Sequence, residues 1–389
     1  MKPRAVTGIG VVSALGVGRA AFFEAMRAGV FSGAGGPVSP GRRTPAHAVT
    51  AQAGVPGFDA AKHLGEKGLR SLDRLTKLLI VAARLALQDA GLKLEGAWTA
   101  GRPDRAGIVT SNAYGSLEVI TELDRVAILE DARYINPSRF PLTVSNSAAG
   151  YASIWEELRA INVSVSDGNC GGLDAFACAD VFLEQARADV LLVGGVEALS
   201  EALAVAFDRL AAADRGNERV ILGEGAALLA LETPGAARDR CANVICEVTG
   251  YGTAFSPPER EVSFVYASAP ALERAITTAL ADAGIVRGGQ PEIDVVVSGL
   301  SGLNEFDDAE LLAIERTAGE QACVVAPKRA LGETFGAGGA LGVVAAIAYL
   351  CEGARSHVVR GTLRAQPRRA LITSMGYYGN ASALVVEAR

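Results

Sequence analysis

The chain has 389 residues, half of them hydrophobic, with 45 glycines and a formal charge of −6 from 37 basic and 43 acidic residues. That length and apolar content suffice for a large buried core with many close backbone approaches, while the acidic balance and the lack of a basic stripe argue against a nucleic-acid partner. The six cysteines, Cys170, Cys178, Cys241, Cys246, Cys323 and Cys351, form neither a CxxC pair nor a zinc-ligand spacing, so a reduced cytoplasm and no metal are expected.

In chain order, Met1-Lys2-Pro3-Arg4 runs straight into a strand without a leader pattern. Ser32 to Thr44, rich in Gly, Pro, Ser and Arg, reads as a loop excursion. Ile161 to Ser166 alternates and is β-branched, which predicts a strand, and Leu173 to Ala186 carries apolar residues at helical spacing. Between them lies Ser166-Asp167-Gly168-Asn169-Cys170-Gly171-Gly172-Leu173-Asp174-Ala175, whose glycines allow a sharp turn. Cys170 would then cap a helix N-terminus, where free N–H groups stabilise a thiolate and hold an oxyanion. The local pattern leaves two roles open, an activated nucleophile or a buried structural cysteine.

Val190 to Gly194 reads as a strand before a helix at Ser200 to Leu210, Ala211 to Glu218 as a turn, and Asp294 to Ser298 as a strand before a helix at Asp308 to Thr317. This alternation is an α/β pattern. The uncharged run Phe335 to Cys351 approaches the ~18 to 20 residues of a membrane span, yet it opens with glycines and follows Lys328 and Glu333. It is expected to be a helix buried between layers, with no membrane partner. A strand, a turn with a polar residue and a glycine-rich helix occur around Cys170 and again around Lys328 to Ala340, an internal echo with a divide placed near residue 240 (1–240 and 241–389).

Seven segments in order resemble the β-ketoacyl synthases. They are Val6 to Gly16, Pro137 to Gly150, the elbow around Cys170 with the strand that follows it, Gly223-Glu224-Gly225-Ala226-Ala227, Gly250-Tyr251-Gly252, Pro327 to Ala340, and Ser374-Met375-Gly376-Tyr377-Tyr378-Gly379-Asn380. The resemblance implies a five-layer αβαβα thiolase-like fold made of two similar halves forming one compact unit. It also implies substrates carried on a phosphopantetheinyl acyl carrier protein, with no bound cofactor, and a dimer formed through Pro137 to Gly150. By the same likeness Cys170 holds the nucleophile position, the backbone N–H groups of Cys170 and Tyr377 form the oxyanion hole, and Arg139, beside Phe140, reaches toward a partner's acyl tunnel.

The sequence departs from that family where charge develops in condensation. Preorganised donors at such a point are worth several kcal/mol, and the family supplies two histidines. Anchored on Asp307 and Glu310, the first histidine position is Gly299, and the second, after Gly332, is Glu333. The three histidines present, His47, His63 and His357, lie in no matching motif; loop or helix-edge places are expected for the first two and a solvated helix end for His357. The family's glutamate partner for its lysine reads Gly342, so Lys328 is expected to pair with Glu333. Of the groups that bind pantetheine, Ser301 is kept and Leu303 replaces the other. Tyr378 replaces a glycine, a bulk expected to close the acyl site or fill space.

These departures resemble the chain-length-factor or β subunit of a type II polyketide or polyene synthase, paired with a ketosynthase whose Cys, His and His are intact. Retention of Cys170, where most such subunits carry Gln, leaves two alternatives: a cysteine acyltransferase using Glu333 as base, or a condensing enzyme with Glu333 protonated.

Overall fold

The computed structural model describes residues 1–31, 52–213, 220–258, 265–285, 292–320 and 322–389. The Ser32 to Thr44 loop, His47 and all but the first residues of the Ala211 to Glu218 turn lie outside that set; Ala211 to Ala213 complete a helix.

In the first half, strands β1 (Arg4–Ser13), β2 (Ala106–Ser111), β3 (Asn162–Val165), β4 (Val190–Glu197) and β5 (Gly225–Glu232) lie in the order β1-β5-β4-β2-β3. The first two junctions are antiparallel and the last two parallel. The second half contains β6 (Cys246–Phe255), β7 (Val295–Val297), β8 (Val324–Val325), β9 (Val358–Arg360), β10 (Arg369–Met375) and β11 (Asn380–Ala388). Its order β6-β11-β10-β7-β8 repeats the same sequence of junctions, with β9 added antiparallel at the edge. The halves meet where β1 pairs antiparallel with β6, Ala5 opposite Glu247.

Among the helices are α1 (Arg74–Asp89), α2 (Leu117–Val126), α3 (Ser147–Glu156), α4 (Gly171–Glu184), α5 (Glu201–Ala213), α6 (Ala269–Asp282), α7 (Asn304–Ala318) and α8 (Gly338–Cys351). Strand alternation sorts them into layers, because successive side chains point to opposite faces. In the first half, Leu192 and Leu228 join the core under α1 and α3, while Val193 and Leu229 face α4 and α8. In the second, Ile372 and Leu384 join α4 and α8, while Leu371 and Val385 face α6 and α7. The result is the five-layer αβαβα arrangement expected from the sequence.

Helix α8, walled by both sheets and α4, is buried over nearly its whole length, and this explains why its sequence is apolar on every side. Among the described residues no helix is long and apolar enough to cross a membrane. His357 departs from expectation: it is 5% exposed, with Nε2 2.9 Å from the Val30 carbonyl oxygen and Nδ1 2.9 Å from Ser356 Oγ. The carbonyl of Val30 recruits the ring inward. His63 sits in the short helix Ala61–Leu64, a helix edge as expected.

Candidate functional site

The first wall of the site is the turn entering α4. Gly168 adopts φ +54, which opens a 3-10 turn over Gly168–Cys170, and Cys170 occupies the cap position of α4. Consecutive residues on a helical turn diverge by about 100°, and here that divergence decides the chemistry. The chamber beneath the turn is lined by Asn169, Gly299, Glu310, Glu333 and Tyr377, and Cys170 is not part of its wall.

Cys170 is instead fully buried on the other side, its Sγ 3.7 Å from the Ser374 carbonyl oxygen. Burial pushes its thiol well above the usual value, followed by the charges of Asp174 and Asp167, against smaller help from Ser382 and the Gly376 N–H. Glu333 has no part in this. The Cys170 N–H, expected in an oxyanion hole, donates to the Asp167 carbonyl at 3.1 Å and is spent inside the turn. Asp174, one helical turn after Cys170, accepts from Tyr251 Oη at 2.7 Å and Ser382 Oγ at 2.5 Å. Burial raises its carboxyl to about 7.

The second wall is the segment before α8. Glu333, 1% exposed, accepts from Lys328 Nζ at 2.6 Å through one oxygen and from the Phe335 N–H at 2.9 Å through the other. The pairing expected from sequence is therefore present and internal. With both oxygens accepting, Glu333 offers no donor to a developing oxyanion. A second cavity of about 20 Å³, lined by Lys328, Gly299, Thr334 and Gly342, has room for about one water.

The third wall is the loop into α7. Gly299 N–H donates to Glu310 Oε1 at 2.7 Å, and Thr373 Oγ1 donates to the same oxygen at 2.5 Å. A Cβ on residue 299 would stand 3.3 Å from Glu310 Oε2, so the glycine lets the carboxyl approach the backbone. Burial lifts Glu310 to about 7. Asp307 accepts from the N–H groups of Ser301 and Gly302 at 2.9 and 3.0 Å and so shapes the loop.

Tyr377 lines the chamber from the loop after β10, its buried hydroxyl set against Asn169. Tyr378 is 71% exposed in the single chain, beside Gly379 at φ +84. Arg139 lies in the 3-10 helix Pro137–Thr143 and pairs with Glu122 at 2.7 Å, while Phe140 is exposed. Neither touches the chamber. The structure thus gathers Glu333, Gly299 and Tyr377 around Asn169, with Lys328 behind them. It leaves Cys170, Arg139, Phe140 and Tyr378 elsewhere. Sequence reasoning passed over Asn169 and Asp174; the only signals were an amide beside the thiol and a carboxylate one turn after it.

The description "Beta-ketoacyl synthase, N-terminal domain" matches residues 1–237, and "Beta-ketoacyl synthase, C-terminal domain" matches residues 245–359. "Putative polyketide beta-ketoacyl synthase 2" of Streptomyces coelicolor is 31% identical across 98% of this chain and 94% of its own length. "3-oxoacyl-[acyl-carrier-protein] synthase 2" of Vibrio cholerae is 28% identical across 77% of this chain and 74% of its own. Among solved structures, the ishigamide ketosynthase/chain length factor superposes with a TM-score of 0.84 at 24% identity, covering 100% of this chain and 99% of that one. A β-ketoacyl synthase from Burkholderia phymatum superposes at 0.85 and 24%, covering both chains completely, and these likenesses share the fold. By sequence and by architecture, the chain belongs to the β-ketoacyl synthase family.

Proposed function

We propose that this chain is the non-condensing, chain-length-factor-type subunit of a type II polyketide or related polyene synthase. In this reading it pairs with a ketosynthase bearing intact Cys, His and His, in the cytoplasm, and works on acyl groups delivered by a phosphopantetheinyl acyl carrier protein. One observation supports the reading: the chamber is lined by Asn169, Gly299 and a Glu333 held by Lys328, with no imidazole in its wall, whereas condensation in this family needs a thiolate and two imidazole donors. An amide does not form a thioester, and a carboxylate with both oxygens accepting does not stabilise an enolate.

The names of relatives support it, since one is a "Putative polyketide beta-ketoacyl synthase 2" and one solved structure is the ishigamide ketosynthase/chain length factor. A further solved structure, of a type II PKS acyl-carrier protein in complex with its ketosynthase, shares the fold at 20% identity and a TM-score of 0.78. The rival acyltransferase, Cys170 with Glu333 as base, is disfavoured because the thiol faces Asp174 and the carboxylate is held by Lys328.

The test is reconstitution. The purified chain alone should not condense malonyl and acyl carrier proteins, the missing donors lowering the rate by roughly a thousandfold or more. Co-purified with a ketosynthase encoded beside it, it should yield an active complex. Robust condensation by the isolated chain would overturn the reading.

A further inference from the structure

Away from the chamber, the end of the central helix meets the seam between the two halves at a pair of thiols. Cys246 opens β6, opposite Val6 of β1 on one side and Ala388 of β11 on the other, and its side chain joins the middle-layer core that contains α8. Cys351 is the last residue of α8. Its thiol reaches back to the strand, Sγ 3.8 Å from the Ile245 carbonyl oxygen, and that carbonyl group is bonded to the Cys246 nitrogen. Backbone bond lengths then keep the Cys246 Cα within about 7 Å of the Cys351 sulfur. Rotation about χ1 between staggered wells moves a cysteine sulfur by about 3 Å, so side-chain rotation alone spans most of the remaining gap.

The two thiols differ in access: both are free, Cys246 is buried and Cys351 is exposed. Burial pushes Cys246 well above its ordinary value, with the Cys351 sulfur adding to the rise, and burial lifts Cys351 as well. The Arg19 guanidinium works the other way on both. It is pinned there by Glu352, the residue after Cys351, at 3.1 Å, and Arg27 holds the same carboxylate at 3.5 Å. A cation beside a thiol favours the thiolate, the form that attacks disulfides.

We propose that Cys246 and Cys351 are a thiol-modification site, forming a reversible disulfide that staples the end of α8 to the seam between the halves. A low-molecular-weight disulfide is the oxidant. The Cys351 thiolate attacks one of its sulfurs, breaking the reagent's S–S bond, expelling one thiolate and leaving a mixed disulfide. The Cys246 thiol gives its proton to that thiolate and attacks the Cys351 sulfur, expelling the second. Two protein thiols are thereby oxidised to one disulfide, and the reagent is reduced to two thiols. The bridge closes a loop of about a hundred residues, a length at which a cross-link strongly restricts the unfolded chain.

The test uses the full-length chain and oxidised glutathione, with free thiols then trapped by N-ethylmaleimide. Non-reducing peptide mass spectrometry should find the Cys246 peptide joined to the Cys351 peptide, while the exposed Cys241 carries glutathione. Melting temperature should rise by several degrees and return on adding dithiothreitol. Cys246→Ala should leave at least tenfold more glutathione on Cys351 and abolish the rise. Cys351→Ser, an exposed change, should also abolish the rise and leave Cys246 unmodified, and it decides the matter should the alanine variant lose its melting transition. A folded wild-type chain in which Cys351 stays free or keeps its glutathione, with no joined peptide, would overturn the inference.

Discussion

Asn169 and Cys170 are neighbours in the chain, and the turn sends one into the chamber and the other into a buried cluster of Asp174, Ser382 and the Ser374 carbonyl. A thiol pushed well above its ordinary range by burial and two carboxylates remains protonated at neutral pH. Iodoacetamide should therefore label Cys170 at least about tenfold more slowly than the exposed Cys241 and Cys351, read by peptide-resolved mass spectrometry. Glu333→Gln should leave that rate unchanged, and Cys170→Ala should leave product formation by the reconstituted complex nearly intact. Asp174 supplies a pH signature. Its folded pKa of about 7 exceeds that of a free carboxyl, so between about pH 4 and 7 the folded chain binds more protons than the unfolded one. This group's effect on stability is then neutral below pH 4 and grows unfavourable as pH rises through 7. Melting temperature should fall between pH 5 and 8, and Asp174→Asn should flatten that fall; an unchanged slope in the variant would refute the assignment.

The elements around the chamber are held by close helix contact and one ion pair. Helices α4 and α8 approach so tightly that a Cβ on Gly339 would sit 2.8 Å from the Leu173 nitrogen, and one on Gly172 3.0 Å from the Ala340 nitrogen. Gly339→Ala should force the middle layer apart and cost about 1–3 kcal/mol in urea unfolding, the usual scale of overpacking. Lys328 and Glu333 are 12% and 1% exposed at the side chain. Lys328→Met would strand a buried carboxylate and should cost about 3–5 kcal/mol, most of it recovered when Glu333→Gln is added. Equal losses in the single and double variants would mean that the pair does not carry the segment.

For the whole molecule, the question is what covers the face built by α2, α3 and the segments between them. Ile128 and Leu129 are 79% and 76% exposed, and Tyr134, Phe140 and Ile154 lie 65% or more in the open. So concentrated an apolar patch marks an interaction site, and it adjoins the Pro137 to Gly150 segment expected to form the dimer interface. Light scattering after gel filtration should find the chain in a dimeric complex, with itself or with a ketosynthase, and Leu129→Asp with Phe140→Asp should release monomer. A wild-type chain that stays monomeric with and without the candidate partner would sink the pairing.

The sequence by itself determined the family and the architecture, because both rest on local signals: alternation in Ile161 to Ser166, the glycine-rich turn after it, and seven motifs in fixed order. It also showed that no histidine stands at Gly299 or Glu333, the positions to which the family resemblance points, since a missing imidazole is a fact of composition. Even the Lys328–Glu333 pair was legible, its members being five residues apart. Only the tertiary structure showed that Asn169 lines the chamber while Cys170 is fully buried against the Ser374 carbonyl. It alone also brought Tyr114, Phe207, Phe306, Phe335 and Tyr377 together, residues scattered over five segments whose meeting no spacing records. His357 was misjudged for a plain physical reason: whether a side chain is buried depends on a neighbour distant in sequence, here the Val30 carbonyl.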